Sequence, residues 1–230
     1  MSEFLADSSF FCITLTLVVF SLASAAQKKS KLAVLNPVLV SAVLIIGALL
    51  VLDIPNETYQ SGCQLLTYLL TPATISLSIS LYVQYQNLKK HLGCILIGVV
   101  AGTVCSIGSV YLICTLTGMD RVLMVSLLPK GVTTAIGAAL SEELGGIAAV
   151  STAVIILAGI VGHMAGPLLC RILKIDDEIA QGVAFGTASH VIGTSKAVEM
   201  GQLAGAVSSL SLTIAGIVTA VLLSFLAPYI

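Results

Sequence analysis

Two apolar stretches of the chain hold most of the side chains that could do chemistry. Residues 127–146, LLPKGVTTAIGAALSEELGG, contain Lys130 followed by two threonines. Residues 182–201, GVAFGTASHVIGTSKAVEMG, place His190, Lys196 and four hydroxyl groups close together. Ammonium, imidazole and hydroxyl groups donate the hydrogen bonds that a carboxylate accepts. We therefore expect a binding site for a small anion, and its candidate residues are Lys130, Thr133, Thr134, Ser189, His190, Gly193, Thr194 and Lys196.

Helix breakers accompany these polar groups. Pro129 lacks an amide hydrogen and suits the first turn of a helix, and Gly131 adds backbone freedom. A half-helix that begins here would aim unpaired amides, and the positive end of its dipole, at the break. A weaker feature of the same kind is TPATISLSIS, residues 71–80, where Pro72 interrupts a long apolar window. We predict helix breaks at Pro72, Pro129 and Gly131.

The composition indicates the surroundings of these segments. Only 9% of the 230 residues are charged, against about 25% in soluble domains, 57% are hydrophobic and the mean hydropathy is +1.09. Such a chain cannot present a polar shell to water, so we expect an integral membrane protein. A formal net charge of −1 gives no sign of nucleic-acid binding. The six cysteines have no CxxC spacing and are interpreted as buried small hydrophobes, so no metal and no cofactor is predicted.

The charges also mark the elements. Windows without charge are each long enough for a helix to cross the hydrocarbon layer. They cover residues 8–27, 32–52, 58–88, 92–119, 144–170 and 200–230. Because they are continuously apolar, they exclude a β-barrel. Two shorter polar segments, 121–143 and 179–199, are each interrupted by a lysine. The predicted fold is an all-α polytopic membrane protein, one domain over 1–230, with six transmembrane helices and two broken or re-entrant segments.

Basic residues predict the orientation, because short loops rich in lysine and arginine stay in the cytoplasm. The seven placed inside are Lys28, Lys29, Lys31, Lys89, Lys90, Arg171 and Lys174. This assignment puts the N-terminus outside, with Glu3, Asp7, Asp53, Glu57, Asp120 and Arg121. A full crossing at 121–143 would bring Glu142 inside and force Arg171 out. A re-entrant hairpin or a pair of half-helices removes that conflict; the alternative is an ordinary helix that violates the charge rule.

Each candidate also has a structural interpretation. An intramembrane lysine costs about 2.5–3.5 kcal/mol on insertion scales, so such residues usually face a cavity. Lys196, however, lies three residues before Glu199 and could simply pair with it. His190 could bond a neighbouring helix instead of lining a cavity. Without an intramembrane acidic residue, proton coupling would need His190 or Glu142. An enzyme built on Ser189 is disfavoured, because adjacent helical residues point about 100° apart.

Four GxxxG spacings permit close approach of helices, within a bundle or across a dimer. They occur at Gly98/Gly102, Gly162/Gly166, Gly182/Gly186 and Gly201/Gly205. We expect a homodimer from these glycine-rich faces.

At its two polar segments the chain resembles the LrgB/CidB family, the larger membrane component of the bacterial LrgA/LrgB and CidA/CidB systems. The stretches that carry the resemblance are LLPKGVTTAI, SEELGGI, GTASHVIGTSKAVEMG and SSLSLTIAGIVTA, and it extends over essentially the whole chain. It implies a multi-pass protein of the bacterial inner membrane with a small LrgA- or CidA-type partner.

The resemblance also implies two functions. Members are described as antiholin-like or holin-like modulators of murein hydrolase activity and autolysis. A similar plant plastid protein carries glycolate and glycerate, and some bacterial systems are linked to pyruvate uptake. A pore-forming module has no evident need for Lys130, His190 and Lys196 at helix breaks. A protein that binds a short monocarboxylate does need such groups. We therefore expect a carrier for acids of the pyruvate, glycolate, glycerate or lactate class, with the holin-like modulator as the alternative.

Overall fold

The structure is a computed structural model, and it describes residues 9–30, 37–69, 72, 75, 79 and 82–230. All regular secondary structure in these residues is helical, as the composition predicts. The chain divides into two compact units, Met1–Ser76 and Leu77–Ile230. The predicted outer residues Glu3 and Asp7, and Lys31 of the first basic cluster, lie outside the described residues.

In its described residues, the first unit contains four helices: α1, Ser9–Ser30; α2, Pro37–Leu52; α3, Asn56–Gly62; and α4, Gln64–Tyr68. The chain bends by 118° between α2 and α3, where Asp53 has a positive φ of 51°. A hydrogen bond of 2.6 Å between the hydroxyls of Thr16 and Tyr59 joins α3 to α1. Pro72 is exposed and helical, but Thr71 and Thr74 beside it lie outside the described residues.

The second unit contains α5, Tyr85–Leu116; α6, Arg121–Leu127; α7, Thr134–Glu143; α8, Ala148–Ile172; α9, Glu178–Met200; and α10, Gln202–Leu226. A 3-10 turn, Ala227–Tyr229, ends the chain. The core between α5 and α10 is built from small and branched apolar side chains. They include Ile95, Val99, Ala206, Val207 and Ala215.

Four helices of the described part are long and apolar enough to cross a membrane: α1, α5, α8 and α10 with its 3-10 turn. The bent pair α2 and α3 is a fifth candidate. These helices fall in five of the six predicted windows. The window at 58–88 runs through residues that the structure mostly does not describe, so the predicted count of six is not confirmed. The protein is a multi-pass, all-helical membrane protein.

Residues 121–143 do not form one helix. α6 has 7 residues and α7 has 10, and an irregular turn over 128–133 separates them. The exit of α7 comes back beside α6, because the amide of Ile147 donates to the hydroxyl of Ser126 at 2.8 Å. Leu128 and Leu140 also share one apolar cluster with Cys114 near the end of α5. The segment is therefore a hairpin of two short helices, called hairpin 1 (residues 121–143) below.

Residues 178–200 form a second hairpin. A continuous helix of these 23 residues would separate its ends by about 33 Å. Instead, the Glu178 carboxylate accepts a hydrogen bond from the amide of Ala204 at 3.3 Å and lies against Gly201. The chain reverses at His190, whose backbone has φ 41° and ψ −135°. This segment is called hairpin 2 below, with limbs 178–189 and 191–200.

The two hairpins have opposite directions in the second unit. Hairpin 1 is followed by α8 and hairpin 2 by α10, and both long helices have 25 residues. Along the first limb of hairpin 2, α8 runs antiparallel, since Gly162 faces Ser189 and Gly166 faces Phe185. α10 runs parallel to the same limb, from the level of Gly182 toward that of Gly186. The two hairpins therefore enter unit 2 from opposite ends.

All four GxxxG pairs are used for packing inside the second unit. At each of these glycines an added Cβ would contact a neighbouring element. Gly98/Gly102 face Val183 and Thr187, Gly162/Gly166 face Ser189 and Phe185, Gly182/Gly186 face Val207 and Ser208, and Gly201/Gly205 face Glu178 and Val198. These glycine faces are covered within one chain, so they no longer argue for a homodimer, which stays a prediction.

Candidate functional site

The tips of the two hairpins meet in the second unit. A Cβ placed on Gly131 of hairpin 1 would lie 3.0 Å from the backbone carbonyl oxygen of Thr187 in hairpin 2. It would also lie 3.6 Å from the hydroxyl oxygen of Ser106 on α5. Glycine thus permits a backbone approach that a larger side chain would prevent. This contact brings the two predicted polar segments together.

A narrow crevice lies at the meeting point. Its volume is about 10 Å³, which is far below the 300 to 1,000 Å³ of typical ligand pockets. Residues from α5, both hairpins and α10 line it: Thr103, Ser106, Ile107, Leu128, Gly131, Thr187, Ala215 and Thr219. In this conformation it has room for a water-sized ligand only.

Four hydroxyl residues of this crevice were not among the predicted site residues, and one of them, Thr187, lies in the second polar segment. Thr103 is 4% exposed, and its hydroxyl has no hydrogen-bond partner among the described residues. Ser106 and Thr219 lie in the apolar helices α5 and α10. Isolated hydroxyls in membrane helices usually bond their own backbone, so their type alone gave no signal. The spacing of Thr103 and Ser106 on one helical face was the available clue.

The tip of hairpin 1 holds three of the predicted binding residues. Lys130 is half-buried, and its ammonium forms no hydrogen bond or ion pair with the described part of the chain. Thr133 is the N-cap of α7 but makes no side-chain cap, and Thr134 is the first helical residue. Pro129 is fully buried in the turn. The predicted break at Pro129 and Gly131 is therefore present, and it leaves a free lysine beside an uncapped helix N-terminus.

His190 fastens hairpin 2 to α8. The residue is 3% exposed, and its Nε2 donates to the carbonyl oxygen of Ile155 at 2.8 Å. Gly159 provides the room, because a Cβ there would lie 2.7 Å from the imidazole Cε1. A non-glycine residue at positive φ costs free energy, so surrounding contacts must hold it. His190 is thus the reversal point of hairpin 2 and is bonded to protein.

The other predicted residues near this reversal close the hairpin. Thr194 donates to the carbonyl of His190 at 2.8 Å and bonds the hydroxyl of Ser208 at 2.8 Å. Gly193 packs on Ser189 and on the carbonyl of Phe185, which allows the two limbs to approach. Ser189 itself is buried against Gly162. None of these residues lines the crevice.

Lys196 and Glu142 lie apart from the tips. Lys196 forms an ion pair of 2.7 Å with Glu199, and its side chain is 28% exposed. Glu142 is exposed in the last turn of α7. Lys130, Thr133 and Thr134 thus lie at the turn of hairpin 1 whose Gly131 meets hairpin 2, although none of the three lines the crevice. Lys196 has the surface partner that its sequence spacing allowed.

The match to known proteins extends over nearly all of this architecture. The model of the LrgB-like family matches residues 16–229, which include both hairpins. The chain belongs to the LrgB-like family. Antiholin-like protein LrgB of Bacillus mycoides (strain KBAB4) is 34% identical over 222 residues, which is 96% of each chain. The antiholin-like LrgB proteins of Bacillus cereus (strain B4264) and Bacillus anthracis (strain CDC 684 / NRRL 3495) have the same identity and coverage. No solved structure matches the chain. None of these names denotes an enzyme.

Proposed function

We propose that this LrgB-like chain is a carrier for short monocarboxylates of the pyruvate, glycolate, glycerate or lactate class. The observation that carries the proposal is the meeting of two oppositely directed hairpins at a site with a free lysine. Secondary transporters place substrate sites where broken helices of inverted repeats meet. A structural pore has no need of such an arrangement.

Lys130 and the start of α7 supply the anion chemistry. The ammonium of Lys130 has no partner in the described chain, and the first amides of α7 have no side-chain cap. A carboxylate there would accept a charge-assisted hydrogen bond from the lysine and further bonds from the amides. The hydroxyls of Thr133 and Thr134 would bind a 2-hydroxy or 2-oxo oxygen of the same acid.

The close meeting of the two hairpin tips fits a carrier caught between its open states. Hairpin 1 and hairpin 2 enter from opposite ends, so withdrawal of either one opens the site to one side only. In the proposed membrane arrangement the ends that carry Lys89, Lys90, Arg171 and Lys174 face the cytoplasm of a bacterial inner membrane. The N-terminus would then lie outside. His190 is bonded to Ile155, so coupling through its proton would require that bond to open.

A second candidate is an antiholin-like modulator of murein hydrolase export and autolysis, acting with an LrgA- or CidA-type partner. The names of the relatives favour it over the carrier, because each is called antiholin-like and none names a substrate. The hairpin geometry favours the carrier. The two functions differ in a property that can be measured on the purified chain.

The discriminating experiment measures uptake into proteoliposomes that contain only this chain. Labelled pyruvate, glycolate, glycerate and lactate are tested, with a trapped fluorescent dye of larger size as a leak control. We expect saturable uptake of at least one acid with no release of the dye. Dye release without saturable uptake of any of the four acids would reject the carrier and favour the holin-like function.

A further inference from the structure

The crevice at the meeting of the hairpins faces the negative ends of two half-helices. Leu128 and Gly131 follow the C-terminus of α6, and Thr187 belongs to the last turn of the first limb of hairpin 2. The last four carbonyls of a helix have no intrahelical partner, and they carry the negative end of its dipole. An anion in this crevice would meet unfavourable carbonyls, whereas a cation would be stabilised by them.

Neutral oxygen atoms surround this space. The Thr187 carbonyl and the Ser106 hydroxyl both lie next to Gly131, at the distances given above. The Thr187 hydroxyl donates its proton to the Val183 carbonyl at 2.6 Å, so its oxygen keeps lone pairs for another partner. The buried Thr103 hydroxyl has no partner in the described protein, and leaving such a group unsatisfied costs about 1–3 kcal/mol. These four oxygens are an incomplete set of ligands.

The chemical type of these oxygen ligands indicates which cation would bind. Carbonyl and hydroxyl oxygens are ligands for hard cations, but among the described residues no carboxylate lines the crevice to balance a divalent charge. None of these described lining residues titrates, so a proton has no group to bind there. Unwound carbonyls and half-helix C-termini are the groups that hold Na⁺ in membrane carriers. We propose that the crevice is a sodium site formed by Thr103, Ser106, Thr187 and Thr219.

The site explains how the chain could couple transport without an intramembrane acidic residue. Na⁺ would bridge α5, hairpin 2 and α10 beside Gly131 at the tip of hairpin 1. Only this coupling role rests on the proposed carrier function. Binding of the ion itself does not depend on transport.

The test measures thermal unfolding of the purified, full-length protein in NaCl, KCl and choline chloride at equal ionic strength. A ligand that binds only the folded state raises the Tm as its concentration exceeds its Kd. We expect a saturable rise in Na⁺ alone. In T103V the apparent Na⁺ affinity should fall at least tenfold. The control T117V removes an exposed hydroxyl that bonds the Ile113 carbonyl on the same helix, and it should respond to Na⁺ as the wild type does.

The T103V variant is expected to fold, so a loss of Na⁺ binding can be distinguished from a loss of stability. The Thr103 hydroxyl has no partner in the described part of the protein. Valine, which has a similar shape, should therefore leave the Tm in choline chloride unchanged or higher. T219V and binding of radioactive ²²Na⁺ provide a second variant and a second measurement. Equal Tm values in the three salts, or a T103V protein that binds Na⁺ like the wild type, would overturn the sodium site. Na⁺ binding without any acid uptake would support the site and remove the carrier proposal instead.

Discussion

Lys130 and Lys196 look alike in the sequence, since each is a single cation in an apolar segment rich in hydroxyls. The structure separates them by their partners. Lys196 has Glu199 one helical turn away and forms a surface ion pair, which contributes little free energy. Lys130 sits in a tight turn beside a buried proline and has no acidic partner in the described chain. The pairing of Lys196 was visible in its i,i+3 spacing, and that spacing could have ranked the two lysines.

We expect K130Q to lower kcat/KM for acid uptake at least tenfold. The variant exchanges a charge-assisted hydrogen bond for a neutral one, and a charged hydrogen bond is worth about 1.5–3 kcal/mol. The matched control is K90Q, which removes an exposed lysine at the start of α5. Initial rates over a range of substrate concentrations, at equal protein reconstitution, provide the comparison. Uptake by K130Q at the rate of K90Q would remove Lys130 from the binding site.

The role of His190 differs from the one that its residue type predicted. Its type and its polar neighbours predicted a place in a cavity, but its imidazole bonds a carbonyl 35 positions earlier in the chain. Its backbone, not its side chain, makes the reversal of hairpin 2. Neither the distant partner nor the positive φ could be predicted, because histidine rarely takes this conformation and the partner depends on tertiary packing.

Among the elements, hairpin 1 was the easier to foresee. A proline and a glycine within three residues stop a helix by local chemistry, so the break followed from the sequence. Hairpin 2 was harder, since its glycines serve packing against α10 and its own first limb while the chain turns at a histidine. The remaining long helices could be predicted from the charge-free windows alone. The position of the crevice could not be predicted from the sequence, because its hydroxyls come from three separate elements.

The contact between α8 and hairpin 2 can be tested with a single methyl group. In G159A the added Cβ would lie 2.7–2.8 Å from the His190 ring and 3.0 Å from Cβ of Ile192. Such overpacking costs about 1–3 kcal/mol, so the Tm should fall clearly. The control G93A adds the same group to α5 at a position with no neighbour within 4 Å, and it should leave the Tm unchanged or slightly raised. A Tm for G159A equal to that of G93A would contradict the packing of hairpin 2 on α8.

For the molecule as a whole, the distribution of charges and the observed fold agree on residues 121–143. The positive-inside pattern requires that 121–143 does not cross the membrane, and the structure folds that segment into a hairpin. The same arrangement brings the start of α5, with Lys89 and Lys90, to the end of unit 2 that holds Arg171 and Lys174. The predicted orientation of the chain in the membrane stays a prediction. The opposite directions of the two hairpins could not be predicted from the sequence, because they follow from the tertiary contacts of α8 and α10 with hairpin 2.

Site-directed labelling can show whether the two hairpins enter the membrane from opposite faces, as the proposed carrier requires. Single cysteines replace Asp120, Glu142, Asp176 and Glu199, all exposed, in a chain whose six native cysteines have been removed. A membrane-impermeant thiol reagent is then applied to intact cells and to inverted vesicles. We predict that positions 120 and 142 are labelled only from the outer face, and positions 176 and 199 only from the cytoplasmic face. Labelling of 120 and 142 from opposite faces, or of 176 and 199 from opposite faces, would contradict the hairpins and the carrier built on them.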